Sequence, residues 1–337
     1  MKYFDELSNL TDSQLLRMRI CDLPISFETS QFSNCLDELH RELEKKKIKF
    51  RPKVWISDDW FCPDGITAFA LPFFLMHPRL IELEKKMIGH AEGSNNDWFM
   101  KLMRHECGHA IDNAYFLREC DERRVLFGDC DQKYPESYTA KKYSKKFVQH
   151  LEDSYAQAHP EEDWAESFAV WLTPNSSWRK RYETWPAIEK LNYIQRRMKV
   201  LKNEKPNVIC YQNVDHFEMM DISLRSYYNN KVQRLKGSSS HYHLRSFLSH
   251  KNYSQSEELY EQLKENRKTL KKNVATRTRQ YQYKIESALT DLEDLARNKG
   301  LKIHKRGSQK KKLEGLEGLV ETHAKKFFKE GKHRIIM

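Results

Sequence analysis

Apolar positions along the chain change their spacing several times, and each change marks an element. Thr11-Asp-Ser-Gln14 reads as a capping box opening a short helix through Leu15, Leu16 and Met18. Over residues 31–47, Phe32, Leu36, Leu39 and Leu43 recur at helical spacing and predict an amphipathic helix. Residues 48–57 (IKFRPKVWIS) alternate like a strand, with Pro52 marking an edge or a bulge. Residues 66–76 (ITAFALPFFLM) predict a second strand, again with an internal proline. Asn96 is placed to cap a helix running to about Leu117. Residues 125–160 are loop-rich. A further helix over 161–172 is stopped by Thr173-Pro174.

Beyond residue 206 the pattern differs. Gly237-Ser-Ser-Ser240 predicts a linker. From about Ser254 to Asn298 a long helical segment repeats every eleven residues: Leu259, Leu270, Tyr281 and Leu292, with Leu263, Val274, Ile285 and Ala296 in parallel. That period keeps one narrow apolar stripe on a nearly straight helix. Such a stripe suits a helix folded back on its own domain, or a coiled-coil partner. A basic loop (304–312) and a last short helix follow.

Charge sharpens this division. The chain carries a net +11, but from Lys205 onward there are 28 Lys and Arg against 15 Asp and Glu. The preceding part has 31 bases and 33 acids, together with all seven tryptophans. Two domains are expected, 1–204 and a basic, mostly helical extension over 205–337. The longest apolar stretch, 66–76, falls well short of the ~18 residues of a membrane span, and Asp5 and Glu6 stand where a signal peptide would be basic or apolar. Seven widely spaced cysteines without a C-x-x-C pair are neither a disulfide framework nor a zinc knuckle, which suits a reducing, cytoplasmic setting.

The chemistry concentrates in Arg104-His105-Glu106-Cys107-Gly108-His109-Ala-Ile-Asp112-Asn-Ala-Tyr115. At ~100° per residue the two imidazoles of H-E-x-x-H lie about 40° apart and can reach one ion. Glu106 falls about 60° beyond His109 at that spacing, placed to hold a metal-bound water. Asp112, two turns after His105, is placed to accept the second ring N–H of His105. Met103, Cys107, Ala110, Ile111 and Ala114 fill the opposite face. Two surface histidines on an exposed helix would spell the same letters, but these flanks leave little of the helix to face water.

A hydrolytic zinc site takes three protein ligands and one open position. The metzincin continuation is excluded, because Asp112 and Tyr115 occupy its glycine and histidine positions. The third ligand is therefore sought in His159-Pro-Glu-Glu-Asp-Trp-Ala-Glu166-Ser-Phe-Ala-Val-Trp-Leu172. There Glu162, Asp163 and Glu166 lie opposite an apolar face of Trp164, Phe168, Trp171 and Leu172.

These two strings, with A-L-P-F-F-L-M-H-P-R-L at 70–80, resemble the zincin-like zinc-binding metallopeptidases of the gluzincin type, over roughly residues 50–200. The resemblance implies an α+β fold with a small mixed sheet packed on the active-site helix. It implies zinc held by His105, His109 and Glu166, with Glu106 as catalytic acid/base. Glu162 or Asp163 stays open as the third ligand. The reaction expected is peptide hydrolysis by a metal-bound water that Glu106 activates. Tyr155 and His159 are candidate oxyanion donors, and 66–76 a candidate edge for an extended peptide.

The extension interleaves Tyr227, Tyr228, Tyr242, Tyr260, Tyr281 and Tyr283 with basic clusters at Lys268–Lys272 and Lys310–Lys312. Such a surface can track a nucleic-acid backbone or another anionic partner, or be an ordinary solvated face. His241-Tyr-His243, with His250 nearby, has no acid or cysteine to complete a metal site. The alternative to a peptidase is therefore a nucleic-acid or partner-binding protein carrying a structural or degenerate zinc site. Oligomeric state is open.

Overall fold

The computed structural model describes residues 6–135, 138, 140, 141, 143–236, 256–278, 282–299, 301–304 and 309–329. Two compact units divide after Val232. In the first, the elements are α1 (Asp12–Leu15), α2 (Cys35–Lys45), β1 (Lys53–Ser57), β2 (Ala68–Pro72), α3 (Pro78–Ile88), α4 (Asn96–Tyr115), α5 (Asp121–Phe127), α6 (Pro160–Leu172), α7 (Trp178–Arg181), α8 (Ala187–Val200) and the greater part of α9 (Leu224–Lys236), within which the division falls. The mixture of helices with a small sheet is the expected α+β class.

The local signals fold as their chemistry dictates. Thr11 and Gln14 form the reciprocal capping box that starts α1. Asn95, one residue before the expected cap, accepts from the backbone N–H of Trp98 and opens α4. That helix ends at Tyr115, where Phe116 turns left-handed. Pro160 is the first residue of α6, where its missing N–H costs nothing.

The sheet is smaller than the alternation suggested. Strands β1 and β2 pair in parallel, Lys53 opposite Ala68 through Ser57 opposite Pro72, and the chain then tightens into a 3-10 turn at Phe73–Met76. All five residues of β2 are buried, and the Ala70 N–H donates to the carbonyl of Phe61. A substrate-binding edge at 66–76 is therefore overturned: this strand is inside the core.

The joint expected at 204 also moves. Segment 207–228 packs back on the first unit, with Asn207 and Val208 donating to the carbonyl of Ala114, Thr67 to that of Cys210, and the Trp55 indole to that of Val214. Phe217, Leu224, Tyr227 and Tyr228 belong to the same apolar core as α4 and α6. Basic composition marked this segment, but its aromatic residues decide where it folds.

The second unit, Gln233–Arg334, is built from α10 (Leu259–Thr278), α11 (Gln282–Lys299) and α12 (Gln309–Lys329), with an antiparallel pair β3 (Ser256–Glu258) and β4 (Lys302–His304). The eleven-residue stripe is not one helix. It is divided between α10 and α11, where Leu259, Leu263, Leu270, Val274, Ile285, Leu292 and Ala296 meet Leu316, Leu319 and Val320 of α12 in one core. The stripe is thus covered within its own unit, and the last helix, at 21 residues, is longer than expected. Arg267 and Lys271 pair with Glu286, and Arg277 with Glu317, so part of the basic face is neutralised internally. The linker at 237–240, His241, Tyr242, His243, His250 and Tyr281 lie outside the described residues.

Candidate metal centre

Helices α4 and α6 cross at Gly108. A Cβ there would lie 2.9 Å from the Cα of Ala165, and the Trp164 indole N–H donates to the Gly108 carbonyl at 2.8 Å. Close approach of two backbones needs a residue without a side chain. Its consequence is that carboxylates of α6 reach the imidazoles of α4.

The first turn of α6 carries three consecutive acids, which helical geometry sends in three directions. Glu161 meets Arg118 at 3.1 Å, Glu162 points at the histidines, and Asp163 pairs with Lys190. Negative charge is favoured at this end of a helix. His159 caps it: its Nδ1 accepts from the Glu161 N–H, its Nε2 donates to the Gln132 carbonyl, and its ring stacks on Tyr134. With Nδ1 engaged in the cap and Nε2 on the Gln132 carbonyl, His159 is not the oxyanion donor the sequence suggested.

Three donor atoms converge. Glu162 Oε2 lies 3.0 Å from His105 Nε2 and 3.4 Å from His109 Nε2, and the two Nε2 atoms are 3.2 Å apart. His105, His109 and Glu162 could hold a metal ion. Glu166, expected as the ligand, stands on the other side of the ring. Its Oε1 accepts from the His105 Nδ1–H at 3.0 Å and its Oε2 accepts from the Leu151 N–H at 2.9 Å. Both oxygens being committed, Glu166 orients His105 and leaves the Nε2 side to Glu162. One helical turn separates the two roles.

Asp112 does not reach His105, as had been expected. It is fully buried against Arg123 and faces Arg118 at 3.5 Å. Arg123 arrives from α5, a helix that the spacing of apolar residues did not announce, and takes the carboxylate first. Asp163 likewise faces Lys190 of α8 instead of the imidazoles, and burial pushes its carboxyl up to about 7.

Electrostatics divides the remaining groups. Burial alone would lower the pKa of His105, but hydrogen bonds to Glu162 and Glu166 outweigh it and raise it well above the usual value. Burial likewise opposes the charged form of His109, and the charge of Glu162 raises its pKa. Glu106 is buried, its Oε2 has no hydrogen-bond partner, and desolvation raises its carboxyl above the ordinary range. The ring of Tyr155 lies 5.4 Å from that of His105, between centroids, and burial raises its phenol well above the usual value, with Glu162 and Glu106 adding to it. Tyr134 is a residue sequence reasoning missed. Its hydroxyl lies 2.5 Å from Glu161 Oε2 and 3.1 Å from Glu162 Oε1. It sits in the loop-rich stretch, where spacing carries no signal.

Two histidines and one carboxylate on neighbouring helices could hold a metal ion, close in sequence to Glu106, whose Oε2 is buried without a hydrogen-bond partner, and these are donor types that zinc takes. Residues 99–245 match the family of putative zinc-binding metallo-peptidases. This is the family that the two helical strings resemble, and the match begins inside α4 and takes in all of α6. No curated protein and no solved structure matches the chain. No helix among the described residues is long and apolar enough to cross a membrane. A zinc-binding metallopeptidase needs a donor set that accepts zinc, and an imidazole pair with one free carboxylate oxygen meets that need.

Proposed function

We propose that the chain is a zinc-dependent peptidase in which His105, His109 and Glu162 hold the ion and Glu106 moves the proton. The observation that carries this reading is the placement of Glu162 Oε2 within 3.4 Å of both Nε2 atoms. Zinc, when bound, would supply Lewis acidity and lower the pKa of solvent beside it.

The chain's own residues supply the rest. Glu166 holds the proton of His105 on Nδ1, which keeps Nε2 free as a donor. The unpaired oxygen of Glu106 would take a proton from an attacking water. Its raised pKa brings it nearer the range in which a carboxylate can both accept that proton and return it to a leaving amine. Tyr155, beside His105, is the donor we assign to the developing oxyanion. Seven unpaired thiols suit a reducing compartment.

The test combines metal content with cleavage. Purified protein should retain about one zinc per chain and cleave an unfolded protein substrate, and Glu106→Gln should keep the zinc while losing cleavage. Zinc binding without cleavage, accompanied by salt-sensitive binding of single-stranded nucleic acid, would favour the binding-protein alternative.

A further inference from the structure

Tyr134 approaches the metal-facing carboxylate from the side that the imidazoles leave open. Glu162 has two oxygens: Oε2 lies with the histidines, while Oε1 is 3.1 Å from the Tyr134 hydroxyl. The same hydroxyl is 2.5 Å from Glu161 Oε2, and that carboxylate is held in turn by Arg118, which also reaches Asn113 of α4 at 2.9 Å. The Tyr134 ring is fixed by stacking on His159, 3.7 Å between centroids and 19° from parallel. A ring fixed at the start of α6 therefore places one O–H between Glu161 Oε2, the nearer acceptor, and the outer oxygen of Glu162.

Building on the zinc reading above, we infer that Tyr134 is a positioning residue that makes Glu162 a one-oxygen ligand. A carboxylate with a free second oxygen can swing to chelate the ion through both, which would fill the position a hydrolytic site must keep open. A phenol donating to Oε1 opposes that rotation and directs Oε2 alone at the imidazoles. Tyr134 has one proton for two carboxylates, so removing Glu161 should release it wholly to Glu162. That separates this role from a simple tie between loop and helix.

The experiment measures metal binding by the full chain, with Zn2+ competed against a chromophoric chelator and Co2+ used as a spectroscopic probe. The wild type should bind one ion and give the strong visible bands of four-coordinate cobalt. Tyr134→Phe should bind zinc about 10- to 100-fold more weakly, as loss of a group supporting a ligand does, and its cobalt bands should weaken toward higher coordination. Glu161→Ala should bind zinc at least as tightly as wild type and keep its spectrum. The inference is overturned if Tyr134→Phe, shown folded by its unfolding transition, binds zinc within about twofold of wild type with an unchanged cobalt spectrum. It is equally overturned if Glu161→Ala matches the phenylalanine variant, which would make Tyr134 a structural tie. A wild type that binds no zinc refutes the metal reading itself, and is recognised as that by the wild-type arm alone.

Discussion

Glu166 Oε1 and Nδ1 of His105 are 3.0 Å apart, on the edge of the imidazole opposite the one that Glu162 approaches. Two glutamates one turn apart on α6 thereby grip one ring from both sides, and their substitutions should separate. Glu162→Ala removes a donor atom and should abolish retention of zinc. Glu166→Ala leaves the three converging donor atoms in place, removing the partner of His105 Nδ1 and of the Leu151 N–H, and should weaken zinc by about 10- to 100-fold. Metal content after exhaustive dialysis, with chelator competition for the weaker losses, distinguishes them; equal losses would contradict the division of roles.

How far the centre could be read from sequence follows from what each residue depends on. His105, Glu106 and His109 share one helix, so their relation is fixed by 3.6 residues per turn and needs no tertiary knowledge. Glu162 and Glu166 also share a face. Which of them meets the histidines depends on where α6 crosses α4, and that is set by Gly108 against Ala165. Asp112 shows the same limit: helical phase put it near His105, and Arg123 from another helix captured it. The edge strand differs from expectation because 68–76 is apolar throughout, and an unbroken apolar run describes a buried strand as well as a binding edge. The stripe of the second unit was legible as a stripe, but period alone does not reveal that the chain turns within it.

Acidification should release the metal steeply. The pKa values of His105 and His109 are both raised in the metal-free protein, chiefly through Glu162, and zinc binds only neutral imidazole. Below those elevated values two protons compete with each ion, so log affinity should fall by up to about 2 per pH unit. Stability of the metal-free chain runs the other way. A histidine whose folded pKa is raised stabilises the fold fully below its unfolded value, ~6.5, and that contribution is lost as pH rises through the folded value. Zinc titrations and urea unfolding across the same pH range should therefore show opposite slopes. Parallel slopes would mean that the carboxylates do not charge the imidazoles.

Gly108→Ala tests the crossing. Alanine would favour an isolated α4 by about 1 kcal/mol. The added methyl, however, meets the Ala165 backbone at 2.9 Å, and backbone cannot rotate away. Overpacking of this kind costs about 1–3 kcal/mol, so net destabilisation is expected. Because α4 carries both imidazoles and α6 carries Glu162, moving the helices apart also spreads the donor atoms, and zinc affinity should fall with stability. Unfolding and chelator competition on the same variant check both. A stabilised variant with unchanged zinc affinity would show that the crossing has slack.

Arg104, next to His105 in the chain, is held from outside the site. Its guanidinium makes a two-bonded pair with Glu42 of α2, Nε to Oε2 at 2.8 Å and Nη2 to Oε1 at 2.7 Å, and both residues are buried. Removing one member of such a pair strands a charge in the interior, at a cost of about 3–5 kcal/mol, whereas replacing both by apolar groups is often neutral. Glu42→Leu should therefore destabilise by that amount, and Arg104→Met combined with Glu42→Leu should recover most of it. The double variant also shows whether the pair serves the centre. If packing alone orients α4, its zinc affinity should match wild type; if the ion pair sets the rotation of the helix, zinc affinity should stay low although stability has returned. The first outcome is expected, because Gly108 and Glu166 already fix α4 against α6 from the other side. Urea unfolding of the single and double variants, followed by zinc competition on the double, decides it.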